Sequence, residues 1–212
     1  MEKYTWNKTL LRSIQYWFED GLAEIGVGGM SLLFGLYFYL QATLEKSFLA
    51  EMLGGAFILI FMGGWYLTGR FVRSGKERIS IPRTGYVVYK RNNNKRKPLR
   101  LALILITSSL FSAGLVMLAH IRPFGMDIFP AASGLAIAIV LGLMGFRTGL
   151  PRFYVPAAVG LICGLTLSVL RSGDMPGLAL VYILTSLVLI ANGGFALRRY
   201  LQANPVPAEE QA

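Results

Sequence analysis

A chain of 212 residues that is 54% hydrophobic and only 15% charged falls outside the range of ordinary soluble domains, which carry about 25% charged residues. It holds a single cysteine, Cys163, which excludes disulfides and multi-cysteine metal centres within one chain. The mean hydropathy of +0.53 is gathered into blocks, so the expectation is an all-α membrane protein.

Residues 1–20 carry Leu10, Leu11, Ile14, Trp17 and Phe18 at three- and four-residue spacing, with Lys8, Arg12 and Gln15 between them. That is the pattern of an amphipathic helix lying in a membrane interface, where Trp6, Tyr16 and Trp17 suit the headgroup region. No uninterrupted apolar core with a small-residue cleavage site precedes the first apolar block, so that block is expected to be retained as a span.

Six apolar stretches follow, near Gly21–Thr43, Phe48–Gly69, Leu101–His120, Ile128–Phe146, Phe153–Leu170 and Gly177–Leu197. Each is about long enough to cross a hydrocarbon core of ~30 Å as a helix. The chain thereby divides into an interfacial helix (1–20), a first transmembrane hairpin (21–69), a basic segment (70–100), spans three to six (101–197) and a polar tail (198–212) that reads as disordered. Two stripes of small residues stand out. Gly134, Ala138 and Gly142 lie at four-residue spacing in span four, and Gly160, Gly164 and Ser168 do so in span five. Small residues let helix backbones approach closely in lipid, so spans four and five are expected to pack as a tight antiparallel hairpin.

Charge orients the spans. With an even number of crossings, all but Lys46, Arg122 and Arg171 of the 21 lysines and arginines fall on one side. Basic loops resist translocation, which makes that side cytoplasmic and places both termini there. The net charge of +10 is then explained by topology and by attraction to the anionic phospholipids of the inner leaflet. Nucleic acid becomes the lesser reading of the same charge.

Residues 70–100 need separate comment. "ISI" alternates, "PRTG" offers turn chemistry and "YVVY" is β-branched and aromatic, so a small β-hairpin pairing Ile79–Ile81 with Tyr86–Tyr89 is expected. Its turn, Arg83, Thr84 and Gly85, is a candidate anion-holding element. Lys90, Arg91, Lys95, Arg96 and Lys97 beyond it are candidates for contact with anionic lipid.

Ionisable residues inside spans are costly and mark candidate sites. Glu24 lies about one turn into span one, four residues after Asp20, which would put both on one helix face. Glu51 lies about one turn into span two from the opposite side. The plain reading makes Glu24 a partner of Arg12 or of the basic segment, and Glu51 a helix-N-terminal carboxylate favoured by the macrodipole. The functional reading makes Asp20, Glu24 and Glu51 binders of a cationic or polar substrate. His120 is the sole histidine. Pairing it with Ser133 is the one hydrolase arrangement available, and no oxyanion-hole motif accompanies it. No catalytic residue, metal ligand or cofactor is assigned.

Three segments, "YWFEDGLAEIGVGGMSLLFGLYF", "IPRTGYVVYKR" and "LRRYLQANP", together resemble a group of uncharacterised bacterial integral membrane proteins. The resemblance implies a bacterial inner-membrane location and no particular activity. Two functions stay open: a non-enzymatic membrane module (a sensor, assembly or scaffold subunit, alone or as a homo-oligomer or with a membrane partner), and a small permease using Glu24 and Glu51.

Overall fold

The computed structural model describes residues 17–44, 47–84 and 127–205, and among these every regular element is helical. Five helices are long and apolar enough to cross a membrane, each of 19 residues or more. The expected span Leu101–His120, most of the interfacial helix and the end of the tail lie outside the described residues.

The helix α1, Leu22–Thr43, starts after Gly21, and α2, Phe48–Gly75, starts after Ser47, whose hydroxyl accepts the Leu49 N–H. A π-turn at Lys76–Ser80 and the short helix α3, Ile81–Thr84, continue α2. Next come α4, Ile128–Thr148, a 3-10 turn at Pro151–Phe153, α5, Tyr154–Val169, and α6, Asp174–Ala203. Left-handed glycines punctuate this order. Gly149 has φ 67° where α4 ends and Gly173 has φ 87° ahead of α6, conformations that a Cβ would strain.

Glycine brings α1 and α6 into antiparallel contact. A Cβ on Gly21 would lie 2.3 Å from Gly193 O, one on Gly28 would lie 2.7 Å from Ile190 Cγ1, and one on Gly35 would lie 2.6 Å from Ile183 Cγ1. Seven-residue spacing leaves only about 20° of drift per step, so the three glycines keep to one seam. The α4–α5 pair is similarly close. A Cβ on Gly134 would meet Gly160 O at 2.4 Å, and one on Gly164 would meet Pro130 O at 2.6 Å. Ser168, on the same α5 face, is buried and its carbonyl accepts the Asp127 N–H.

The expected α4 stripe does not hold its line. Gly142 has no described neighbour within 4 Å of a would-be Cβ, and Ala138 is only half-buried. At about 100° per residue, Gly142 is rotated roughly 80° from Gly134, whereas Gly145 returns to within about 20°. Gly145 accordingly faces Phe153 and Tyr154 across the hairpin. Around it Leu141, Phe153, Ala157 and Leu189 form a core with Phe18, Ile137, Met144 and Leu150 against it.

Two further expectations are corrected. The proposed strand Ile79–Ile81 is helical, spanning the π-turn and the start of α3, while Tyr86–Tyr89 lies outside the described residues. Pro82 lacks an N–H and its ring crowds the preceding turn, so the helix ladder must change register near it, and the π-turn does this. The tail also begins later than expected. The helix α6 runs on to Ala203, where the Asn204 side chain donates to Tyr200 O at 3.1 Å.

Candidate functional site

The alternation of helix directions gathers the N-terminal ends of α1 and α5 and the C-terminal ends of α2, α4 and α6 at one end of the bundle. Arg70, Arg73, Lys76, Arg78, Arg83, Arg147, Arg152, Arg198 and Arg199 all belong to this end. The opposite end carries Glu51, Asp127, Asp174 and Arg171 among the described residues. The two are therefore a basic end and a largely acidic one.

The basic end is organised around a turn. Residues 17–19 are helical, and the chain turns at Asp20 and Gly21, the latter with φ 72°. Only glycine fits there, because its backbone lies against Gly193 and its φ is positive. The turn drops Asp20 outside α1, so Asp20 and Glu24 do not share a helix as their spacing implied. Both nonetheless point into the same polar cluster, and each is only 2% exposed.

Asp20 is fully engaged. Its Oδ1 accepts the Leu22 N–H at 3.2 Å, answering one of the free donors of the first helical turn. Its Oδ2 accepts from Lys76 Nζ at 2.6 Å and from Ser80 Oγ at 2.8 Å. Lys76 also donates to Trp17 O at 2.8 Å and sits 4.4 Å from the centre of the Trp17 ring, an attraction of the cation for the ring face. Tyr200 of α6 reaches the Ser80 carbonyl at 3.5 Å. The sequence placed Lys76 only within a general excess of positive charge.

Glu24 meets a different cation. Arg152 Nε lies 2.7 Å from Glu24 Oε1, off the hydrogen-bond direction, so the contact is ionic without an aligned hydrogen bond. The expected partners were Arg12, outside the described residues, or the basic segment. Instead the partner comes from the turn between α4 and α5. Gly149 and Pro151 shape that turn, and the Thr148 hydroxyl pins it by donating to Met144 O at 2.7 Å and accepting the Leu150 N–H at 3.4 Å. Arg152 also donates to Phe18 O, and Asn192 of α6 donates to Arg152 O at 3.1 Å. Phe18 closes edge-on over Phe153 at 5.7 Å. The cluster thus ties α1, the end of α2, the α4–α5 turn and α6 together. A buried ion pair holds only with such supporting donors and acceptors.

Glu51 belongs elsewhere. It occupies the first turn of α2 at the acidic end, is exposed, and lies where Gln41 Nε2 donates to Ala50 O at 3.2 Å. From Glu24 to Gln41 the helix rises about 25 Å, so Glu24 and Glu51 mark opposite ends of the α1–α2 hairpin. Of the anion-turn candidates, Arg83 is half-buried and donates to Ile79 O at 3.3 Å, and Thr84 closes α3. Gly85, Lys90, Arg91, Lys95, Arg96 and Lys97 lie outside the described residues. So does His120, while Ser133 is half-buried on α4.

No protein-family model, curated protein or solved structure matches this chain. The resemblance to a bacterial membrane-protein group is therefore not extended to membership. What the helices define is a class: a chain with the long apolar helices of a multi-pass membrane protein.

Proposed function

We propose that the chain is a non-enzymatic module of the bacterial inner membrane, with six spans and both termini in the cytoplasm, its basic end facing the anionic inner leaflet. One observation carries this reading. The carboxylates at the start of the first span are closed into buried ion pairs, Asp20 with Lys76 and Glu24 with Arg152. Carboxylates held this way brace helices against one another. A permease reading needs Glu24 and Glu51 on one path, whereas Glu51 sits at the far end of the hairpin on an exposed face. The basic residues around the cluster suit lipid phosphates, each juxtamembrane cation adding about 1 kcal/mol of attraction.

Proteoliposomes carrying dyes for protons, sodium and potassium test the reading. Wild type and Glu24→Gln are both expected to leak no faster than protein-free vesicles. A flux present in wild type and lost in Glu24→Gln would overturn the module in favour of a permease. Orientation is checked separately with Asn93→Cys in a Cys163→Ala background. An impermeant thiol reagent added to intact cells is expected to leave position 93 unlabelled, and labelling there defeats the proposed topology.

A further inference from the structure

The helix α2 is as apolar as its neighbours yet differs from them in how it is held. In its most apolar window 6% of residues are buried, against 39% in α1 and in α6. Phe48, Leu59, Trp65 and Tyr66 are all more than 60% exposed. Gly55, Gly63 and Gly69 have no described atom within 4 Å of a would-be Cβ. The helix meets α1 where Val72 and Thr68 lie over Gly26, where Gly64 faces the flexible end of Met30, and where Phe57 and Phe61 lie beside Phe34. Among the described residues, helix packing therefore holds α2 chiefly along its one face toward α1 and leaves most of its surface uncovered.

Polar contacts also hold it: Gln41 of α1 donates to Ala50 O in its first turn, and a denser set gathers at its last turns. Lys76 and Ser80, the first and last residues of the π-turn, both donate to the same Asp20 oxygen. π-Turns inside helices are rare and are found frequently at functional positions. At the opposite end the chain returns to α1 within the short connection after Leu44. The helix is thus joined covalently at one end and clasped electrostatically at the other.

The clasp can be opened by one class of competitor. While docked, Lys76 spends its donors on Asp20 and Trp17 O and its remaining face on the Trp17 ring. Undocked, it is a free ammonium among Arg70, Arg73 and Arg78, all exposed. An anionic lipid phosphate therefore gains a contact with Lys76 only in the undocked state. A ligand that favours one of two states shifts the balance toward it.

We propose that the π-turn is a releasable latch: α2 is docked when Lys76 and Ser80 hold Asp20, and released when Lys76 pairs with the phosphate of an anionic phospholipid. This rests on the reading of the basic end as the leaflet-facing surface, and it adds a lipid-sensed movement to a module otherwise static. One cation near such a surface shifts the released-to-docked ratio by about five-fold.

Distances between spin labels test it in full-length protein in nanodiscs, with Cys163→Ala as background. Gly69→Cys and Gly194→Cys report the basic end, since both positions are open. Gly55→Cys and Leu180→Cys, both exposed, report the acidic end. In phosphatidylcholine the basic-end pair is expected to give one narrow distance. Phosphatidylglycerol is expected to bring up a longer one, the released-to-docked ratio rising about five-fold. Lys76→Gln should produce the longer distance in phosphatidylcholine alone and abolish the response to phosphatidylglycerol, and Asp20→Asn should likewise release the helix. The acidic-end pair should stay unchanged throughout.

Three outcomes overturn the latch. Basic-end distances that never change mean that packing fixes α2. A phosphatidylglycerol response that survives Lys76→Gln means that another cation carries it. Broadening at both ends together means that the variants loosen the whole fold. A vesicle flux dependent on Glu24 would defeat the module reading while leaving these distances as expected, so the two failures are separable.

Discussion

The α1–α6 seam and the helix α2 make an instructive pair. Over their most apolar stretches the mean hydropathy is 1.4 in α1, 1.7 in α2 and 2.0 in α6, so α2 lies between the other two and apolarity alone does not set it apart. Within the bundle they behave differently. Gly21, Gly28 and Gly35 set α1 backbone-close against α6, while Gly55, Gly63 and Gly69 of α2 meet no described atom and Gly64 and Gly75 meet only side chains of α1. Lipid is as apolar as leucine, so hydropathy drives helices into a membrane without pairing them. Pairing comes from close packing and from polar contacts, and α2 packs on α1 through side chains, over Gly26 and beside Phe34, with the polar cluster added at its last turns.

The largest blow to the tight side of that contrast should come from Arg152. Arg152→Met leaves Glu24 buried without its cation, which costs about 3–5 kcal/mol for pairs of this kind. Thermal unfolding in detergent should register the loss. Adding Glu24→Leu to Arg152→Met should recover most of it, since an apolar pair replaces a buried charged one at little net cost. A double variant as unstable as the single one would mean that the other contacts of Arg152, to Phe18 O and Asn192, hold α1 in place.

Next in size is Gly21→Ala. The new Cβ would press on the Gly193 carbonyl in a left-handed backbone conformation. The two penalties together reach about 2–5 kcal/mol. A smaller effect is expected at the second tight pair, where Gly164→Ala meets Pro130 O without any positive φ. Overpacking alone costs about 1–3 kcal/mol. If Gly21→Ala were the milder of the two in unfolding experiments, the α1–α6 seam would be more yielding than its glycines imply.

How much of this was readable in the residues depends on the range of the interaction. Apolar length is local and is set by bilayer thickness, so the described membrane-length helices start within a few residues of the expected blocks. The α4–α5 small-residue positions were visible because Gly134, Gly160 and Gly164 lie in neighbouring helices joined by a short turn. The α1–α6 seam was missed. Its glycines repeat every seven residues rather than every four, and the partner helix is the last in the chain. Glu24 was recognisable as a costly residue, but its partner was not. Nothing in the sequence near Glu24 points to Arg152, which reaches it only because Gly149 and Pro151 turn the chain after α4. The β-like pattern at Ile79–Ile81 was outweighed by continuation of α2, where Asp20 holds Lys76 and Ser80 in helical register.

The loose side of the comparison is tested by the smallest effect. Gly55→Ala and Gly63→Ala add a methyl group where no described atom lies within 4 Å. Surface changes away from caps, cavities and charges stay within about 0.5 kcal/mol, and replacing a helical glycine leans toward stabilisation because alanine leaves the unfolded chain less freedom. Unfolding temperatures indistinguishable from wild type, or slightly higher, are therefore expected for both. A loss as large as that of Gly164→Ala would require a partner seated on this face of α2, and the contrast with α1 would then be one of who covers each helix rather than of how tightly it packs.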